Sequence, residues 1–335
     1  MAAGKVDKKL LMGSGISIFF LVLLFRQIDV GKLLEDFRSM DWRYLTAAVA
    51  LTVVSYWLRP VRWHYLVLPL KRAGFGNLTA ATMIGYMANN LLPARLGEFI
   101  RAYLLAREER LETSAVFATL VMDRLWDVFS VLLIMVATFF MVKLPPGMES
   151  MQHGLVMGSV GFFAGIILFF IMLKRLTART LHLVGIIMKP FPRTWSEKLI
   201  PMLGSFIGGF RFSASPGYWL ALILSSAAIW VTATWPIDLM LKAFGIHLPF
   251  TASMLVMVFL VFAVMVPASP GSVGTYDAAC MYGLMAFNVP KQKALSIALA
   301  SHAVSVLPTI VLGFFFLWYN KLSLKDLSAR SHNEE

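Results

Sequence analysis

Charge and cysteine are both scarce in this sequence. Only 14% of its residues are charged, while 59% are hydrophobic; an ordinary soluble domain carries about 25% charge. That balance excludes a disordered chain and an ordinary soluble enzyme. The single cysteine, Cys280, excludes an intramolecular disulfide and a cysteine-based metal cluster. Motifs of hydrolases, zinc enzymes and P-loops are missing as well. The longest stretch between apolar runs is about 40 residues, too short for a nucleotide-binding domain. Neither an ATP-driven pump nor a nucleotide-sugar transferase is therefore expected within these 335 residues, and no cofactor or metal is expected. Acidic residues are few, 18 against 30 basic ones, which leaves a net charge of +12. In a soluble protein that excess would suggest nucleic acid. Here the basic residues sit in short loops, so membrane topology explains them and no nucleic-acid partner is expected.

What the chain has instead is long apolar runs, with 20 methionines, 26 phenylalanines and a mean hydropathy of +0.73. A transmembrane helix needs about 20 mostly apolar residues. Six runs qualify as full spans: Leu10–Phe25, Tyr44–Leu66, Ser114–Val142, Met151–Leu173, Gly217–Phe244 and Ala294–Tyr319. The first follows a basic start and resembles a signal peptide. It ends at Phe25-Arg26-Gln27 without a small-residue cleavage site, so it reads as an uncleaved anchor. Leu78–Leu92 and Phe250–Val266 are shorter, and each stops at a proline (Pro93, Pro267) followed by a glycine-bearing polar stretch. Short runs broken this way read as re-entrant hairpins over 78–106 and 250–287. The alternative is two ordinary spans joined by tight loops.

Loop charge sets the orientation. With both termini inside, 21 of the 30 Lys and Arg fall in the cytoplasmic pieces 1–9, 59–77, 94–113, 174–216 and 321–335, as the positive-inside rule requires. The basic segment 174–216 is the strongest marker, and the amphipathic stretch Trp195–Phe210 within it suits the inner membrane surface. Trp42, Trp57, Trp63, Trp219, Trp230, Trp235 and Trp318 read mostly as interface anchors. The two broken segments have matching contexts: a Trp-rich span before, a short helix and a long span after. They enter from opposite sides. The expected architecture is thus one all-α polytopic membrane domain with two repeats of inverted orientation, 44–142 and 217–320. Paired broken segments in such folds meet near the midplane and point to the binding site.

Ionisable residues inside spans are costly and usually functional. Asp123, Arg124 and Asp127 interrupt the span 114–142. Asp123 and Asp127 are four apart and share a helix face. Their natural partners are Arg95, Glu98 and Arg101 beside the first break. One reading makes these ion pairs that pin the broken helix to its neighbour. The other leaves an arginine to hold a phosphate bidentately. Asn89 and Asn90, at the deep end of the first broken helix, satisfy unwound backbone or line a cavity. A nest of backbone N–H groups over Ser269, Gly271 and Gly274 would suit an anion, and Asp277 caps or pairs within that second turn. Asp127, Asp277 and His302 are the candidates for carrying protons; a lone membrane histidine is otherwise a hydrogen-bonded packing residue.

The run Asn89-Asn90-Leu91-Leu92-Pro93-Ala94-Arg95-Leu96-Gly97-Glu98-Phe99-Ile100-Arg101, followed by Asp123-Arg124-Leu125-Trp126-Asp127, resembles the first signature of the lysylphosphatidylglycerol synthase transmembrane-region (flippase-like, UPF0104) family. Pro267–Asp277 is similar to its second, with Asp277 where the family usually has Glu. The resemblance covers nearly the whole chain. It implies a polytopic membrane protein that handles lipids, without the aminoacyltransferase domain to which such modules are elsewhere fused. The expectation is a flippase in a prokaryotic inner membrane, not an enzyme. It would move an anionic or phosphate-bearing lipid past Arg95, Glu98, Arg101, Asp123, Arg124 and Asp127. A membrane-embedded lipid-modifying enzyme is the second expectation. A subunit presenting lipid to a separate synthase or glycosyltransferase is the third. Glycine-rich stretches such as Gly158–Gly165 fit helix packing within one chain or between copies.

Overall fold

A computed structural model describes residues 30–92, 96–141, 193–213, 215–265 and 270–322, with isolated positions between 154 and 186. The run Leu10–Phe25, most of Met151–Leu173, and the candidate residues Arg95 and Ser269 lie outside the described residues. Among those described, the chain is helical and has no strand. The helices are α1 (Val30–Ser39), α2 (Trp42–Val67), α3 (Phe75–Leu91), α4 (Gly97–Glu109), α5 (Thr113–Met141), α6 (Arg193–Gly209), α7 (Pro216–Ala243), α8 (Phe250–Met265), α9 (Thr275–Met285) and α10 (Lys291–Tyr319).

Helices α2, α7 and α10 are long and apolar enough to cross a membrane, and α8 is a shorter apolar helix. At 1.5 Å per residue the 29 residues of α10 reach about 44 Å, beyond a hydrocarbon core of about 30 Å. Each of these three long helices contains an interior proline: Pro60, Pro236 and Pro308. In water such a proline costs about 3 kcal/mol or more. Within a membrane, neighbouring helices and local adjustment re-satisfy the freed carbonyl. Helix α5 also has 29 residues, with Asp123, Arg124 and Asp127 interrupting its apolar sequence.

The described residues form two compact units, each drawn from separated stretches. One takes residues 30–59, Thr82–Ile100 and the chain from Ala227 on; the other takes Pro60–Ala81 and Arg101–Ser226. In the first, α9 packs between α8 and α10 over a core that includes Val256, Leu260, Met281, Leu284, Ile297 and Ala298. Gly283 permits this: a Cβ there would stand 3.0 Å from the Phe259 ring. Helix α1 is fastened to α10 through Asp36, which accepts from Lys293 Nζ at 2.8 Å and Ser296 Oγ at 2.6 Å. Gly313 of α10 lies hard against Met87 of α3, and Gly97 against the Gly85 carbonyl.

In the second unit α5 packs on α6. Gly209 sits so close that a Cβ would meet the Ala115 carbonyl at 2.5 Å, and Phe117 and Phe206 stand 6.4 Å apart. The loop after α2 is clamped by Glu109 at the end of α4. Its carboxylate accepts from Gly74 N–H at 2.7 Å and Asn77 Nδ2 at 2.9 Å, and pairs with Lys71 Nζ at 3.1 Å. Burial works against this charge, yet the bonds from Asn77, Gly74 and Lys71 together hold the carboxyl below its ordinary value.

Two tryptophans depart from the anchor expectation. Trp63 and Trp230 are buried, whereas Trp42, Trp57, Trp219, Trp235 and Trp318 are exposed. Trp63 has inward work: its Nε1 donates to Thr119 Oγ1 at 2.9 Å, which satisfies the indole without water.

Candidate functional site

Each unit has its own polar centre. In the second unit the centre is built on α5. Asp123 and Asp127, one turn apart, grip a single arginine of α2. Arg62 Nε meets Asp123 Oδ1 at 2.8 Å and Arg62 Nη2 meets Asp127 Oδ1 at 2.7 Å. Arg62 also donates to the Asp123 carbonyl at 3.3 Å and Ser226 Oγ at 3.4 Å. Arg101 of α4 approaches from Asp123's other oxygen, 3.2 Å from Oδ2, and its guanidinium lies 4.1 Å from the centroid of the Trp63 ring, a cation–π distance. Arg124 pairs with Asp127 Oδ2 at 3.2 Å.

Burial grades the members of this cluster. Arg62 has no exposure, Arg101 and Asp123 have 1% each, and the Arg124 side chain has 43%. Desolvating several charges is expensive, and a buried ion pair is often no more stabilising than apolar residues of the same volume. The cluster therefore specifies geometry more than it adds stability. Its fork-shaped arginines can trade a carboxylate for a phosphate, since both accept bidentate bonds. The shared face of Asp123 and Asp127, and the pairing of Arg101 with Asp123, follow the sequence pattern.

Arg62 does not. Loop charge assigns Arg59 and Arg62 to the cytoplasmic piece 59–77, but α2 continues through Pro60 to Val67 and carries both. The signal was present in the sequence: Tyr44–Leu66 is one apolar run with two arginines inside it.

The first unit's centre joins the two helix breaks. Asn89 Oδ1 accepts from Gly97 N–H at 2.9 Å and so caps α4 across the first break, while its Nδ2 meets Glu98 Oε1 at 3.4 Å. Asn90 Nδ2 donates to Thr309 Oγ1 of α10 at 2.7 Å. The second break contains a 3-10 turn at Pro270–Ser272 with φ of 67° at Gly271 and 84° at Gly274, a region open to glycine and strained for a side chain. Gly271 lies beside the Asn90 carbonyl, which a Cβ on it would meet at 3.5 Å. The ends of the two broken segments are thus in contact.

His302 of α10 holds this turn. Its Nε2 lies 2.8 Å from the Gly271 carbonyl and its Nδ1 2.9 Å from Asp277 Oδ1. The second oxygen of Asp277 accepts from Gly274 N–H at 2.9 Å. So that backbone donor, expected to face an anion from outside, holds the chain's own carboxylate. Tyr276 stacks on the imidazole, 4.5 Å between centroids. Tyr56 of α2 donates to the Ser305 carbonyl at 2.7 Å. Arg59 lies over the Tyr56 and Tyr86 rings, 6.0 and 5.4 Å from their centroids.

The candidate residues therefore divide. Arg101, Asp123, Arg124 and Asp127 belong to one unit. Asn89, Asn90, Glu98, Gly271, Gly274, Asp277 and His302 belong to the other. Sequence reasoning missed Arg62, Arg59, Tyr56 and Tyr276. Among the described residues no group of three or more His, Cys, Asp and Glu could hold a metal ion.

Comparison with known proteins gives a consistent result. Residues 10–313 match the profile of the lysylphosphatidylglycerol synthase TM region. The chain is 25% identical to a UPF0104 membrane protein of Methanocaldococcus jannaschii, over 88% of this chain and 90% of that one. It is 24% identical to a UPF0104 membrane protein of Pyrococcus horikoshii, over 95% and 98% respectively. It is also 24% identical to the glycosyltransferase AglD of Haloferax volcanii, over 89% of this chain and 52% of that one. No solved structure matches the chain.

Proposed function

This chain belongs to the lysylphosphatidylglycerol synthase transmembrane-region family, and on that premise we propose that it moves an anionic or phosphate-bearing lipid between the leaflets of a prokaryotic cytoplasmic membrane. The observation that carries the reading is the five-membered cluster Arg62, Arg101, Asp123, Arg124 and Asp127. It lies mid-length in α5 and within the span-length α2. Intramembrane charge at such a position marks a substrate path by default.

A headgroup crossing hydrocarbon needs compensation for its charge. Arg124, the most exposed arginine of the cluster, meets the phosphate first. Asp127 then competes for the same guanidinium, so the headgroup is held and released by exchange of carboxylate for phosphate. Lipid tails stay in the bilayer. No covalent step is required.

The AglD similarity favours a second reading, in which this chain presents a lipid to a separate transferase. About half of AglD has no counterpart in the alignment, which leaves room for a transferase part separate from the matched region.

The test is reconstitution in liposomes with labelled phosphatidylglycerol and, separately, a labelled polyprenyl phosphate. Exchange of one lipid by wild type, reduced in Arg124→Ala while the variant stays folded, is the expected result. No exchange of either lipid by correctly oriented protein would overturn leaflet transfer and favour presentation to a partner enzyme.

A further inference from the structure

The bonding of His302 fixes how many protons its site holds. A backbone carbonyl only accepts, so Nε2, 2.8 Å from the Gly271 oxygen, carries a hydrogen. Nδ1 and Asp277 Oδ1 are 2.9 Å apart, and a bond at that distance needs one proton between them. That proton makes either imidazolium with carboxylate or neutral imidazole with carboxylic acid. In both forms the pair is neutral overall, and both ring nitrogens have their partners. Remove it and the neutral ring keeps one N–H for two acceptors, so a lone pair faces either Asp277 Oδ1 or the Gly271 oxygen while the site carries a net negative charge, a costly arrangement. The pair separates, or the ring turns and gives up Gly271.

The turn it would give up is a joint. Gly271 and Ser272 are consecutive residues at positive φ, 67° and 57°, and a non-glycine residue there needs its surroundings to hold it. The Gly271 position abuts the Asn90 carbonyl at the end of the first broken segment, and the Asp277 carboxylate holds Gly274 at the start of α9. One imidazole therefore ties α10 to the second break at the point where that break meets the first.

We propose that His302 and Asp277 form a proton-binding site whose single shared proton keeps the two helix breaks joined, so that its loss opens the joint and links lipid movement to protons. The link to lipid movement rests on the transport reading above; the proton site and the joint do not. The proton leaves from between Nδ1 and Oδ1 to water, and no other bond changes order. Its way out is through His302, whose side chain is 12% exposed against 1% for Asp277. The other groups facing the site are Tyr276 and Cys280 of α9 and Tyr56 of α2, with Arg59 beyond the Tyr56 ring.

The experiment uses the full chain in detergent with 15N-labelled imidazoles. Six histidines are present, and His302→Gln assigns the signal. In a titration spanning about pH 5 to 8, where histidine changes charge, and continued to higher pH, His302 is expected to lose one proton. At the same midpoint, hydrogen-exchange protection of peptides over 270–277 is expected to fall, after correction for the intrinsic pH dependence of exchange. A His302 that does not titrate overturns the proton site. Titration with unchanged protection overturns the joint. In liposomes, wild-type lipid exchange should change about tenfold per pH unit on one side of the midpoint, the slope of one proton, and Asp277→Asn should flatten it. Exchange that ignores pH overturns the coupling. No exchange at any pH, with titration and protection intact, overturns the transport reading and leaves the proton site standing.

Discussion

In one unit Arg62 faces Asp123 and Asp127 at 2.8 and 2.7 Å; in the other His302 faces Asp277 at 2.9 Å. Both put a buried carboxylate against a nitrogen donor inside apolar helices. The chemistry of the donor makes them different devices. A guanidinium keeps its proton at any pH a cell meets, so the first centre's positive charges are permanent. An imidazole gives its proton up near neutrality, so the second centre's charge is conditional. On the proposed reading, the first centre serves recognition of a headgroup and the second gating.

The sharpest way to break that contrast is to remove the permanent donor. Arg62→Ala leaves Asp123, buried to 1% exposure, and the mostly buried Asp127 without their main partner. Stripping one partner from a buried pair costs about 3–5 kcal/mol, a large share of the roughly 5–15 kcal/mol available to a folded domain. Thermal unfolding and monodisperse yield in detergent should both collapse. A variant that melts like wild type would mean that Arg62 compensates no buried charge, and the distinction between the two centres would fail.

Next in size is a steric test of the conditional centre. Gly313 packs on Met87, which brings α10, the helix of His302, against α3, the helix of Asn90. Gly313→Ala should cost about 1–3 kcal/mol, as overpacking does. It should also blunt the pH response of protection over 270–277. Full retention of that response would show that the joint tolerates displacement of α10.

Glu109 supplies a third case, a carboxylate outside the long apolar helices, held by Gly74, Asn77 and the half-exposed Lys71. Its folded value is lowered from 4.5. Its contribution is therefore complete above the unfolded value and disappears as pH falls through the folded one. Glu109→Gln should lower stability on the order of 1 kcal/mol at neutral pH, and the gap to wild type should close below about pH 4.5. A gap that persists at pH 3 would assign the loss to the altered shape of the clamp instead of its charge.

Much of this was legible in the sequence because hydropathy and spacing are local properties. The long apolar runs became α2, α7 and α10, and Asp123 and Asp127 share a face because they are four apart. Pro93 and Pro267 announced the breaks, and Asp277 was expected to cap or pair within the second turn, where it does both. What was not legible depends on partners distant in sequence. Arg62 looked like a loop charge because its compensation comes from Asp123 and Asp127, 61 and 65 residues further on. Trp63 looked like an interface anchor for the same reason: Thr119 and Arg101 enclose it only in the folded chain. His302 stands out as a histidine within an apolar run, but Gly271 and Asp277, 31 and 25 residues away, define what its two nitrogens do.

The smallest expected stability effect separates recognition from folding. Arg124 pairs with Asp127 at 3.2 Å, but its side chain is 43% exposed. Solvent screens such a pair, so Arg124→Ala should cost less than about 1 kcal/mol. Arg62 keeps Asp127 neutralised in its absence, which further limits the loss. If phosphate is held by exchange with Asp127, the same substitution removes a charge-assisted contact of about 1.5–3 kcal/mol, roughly a 10- to 100-fold drop in lipid exchange. Arg124→Lys should recover only part of it, because an ammonium lacks the planar fork. Melting near wild type together with such a drop would place Arg124 on the lipid path. Equal losses in stability and exchange would make the whole cluster structural, and the substrate path would have to be sought around the joint of the two breaks.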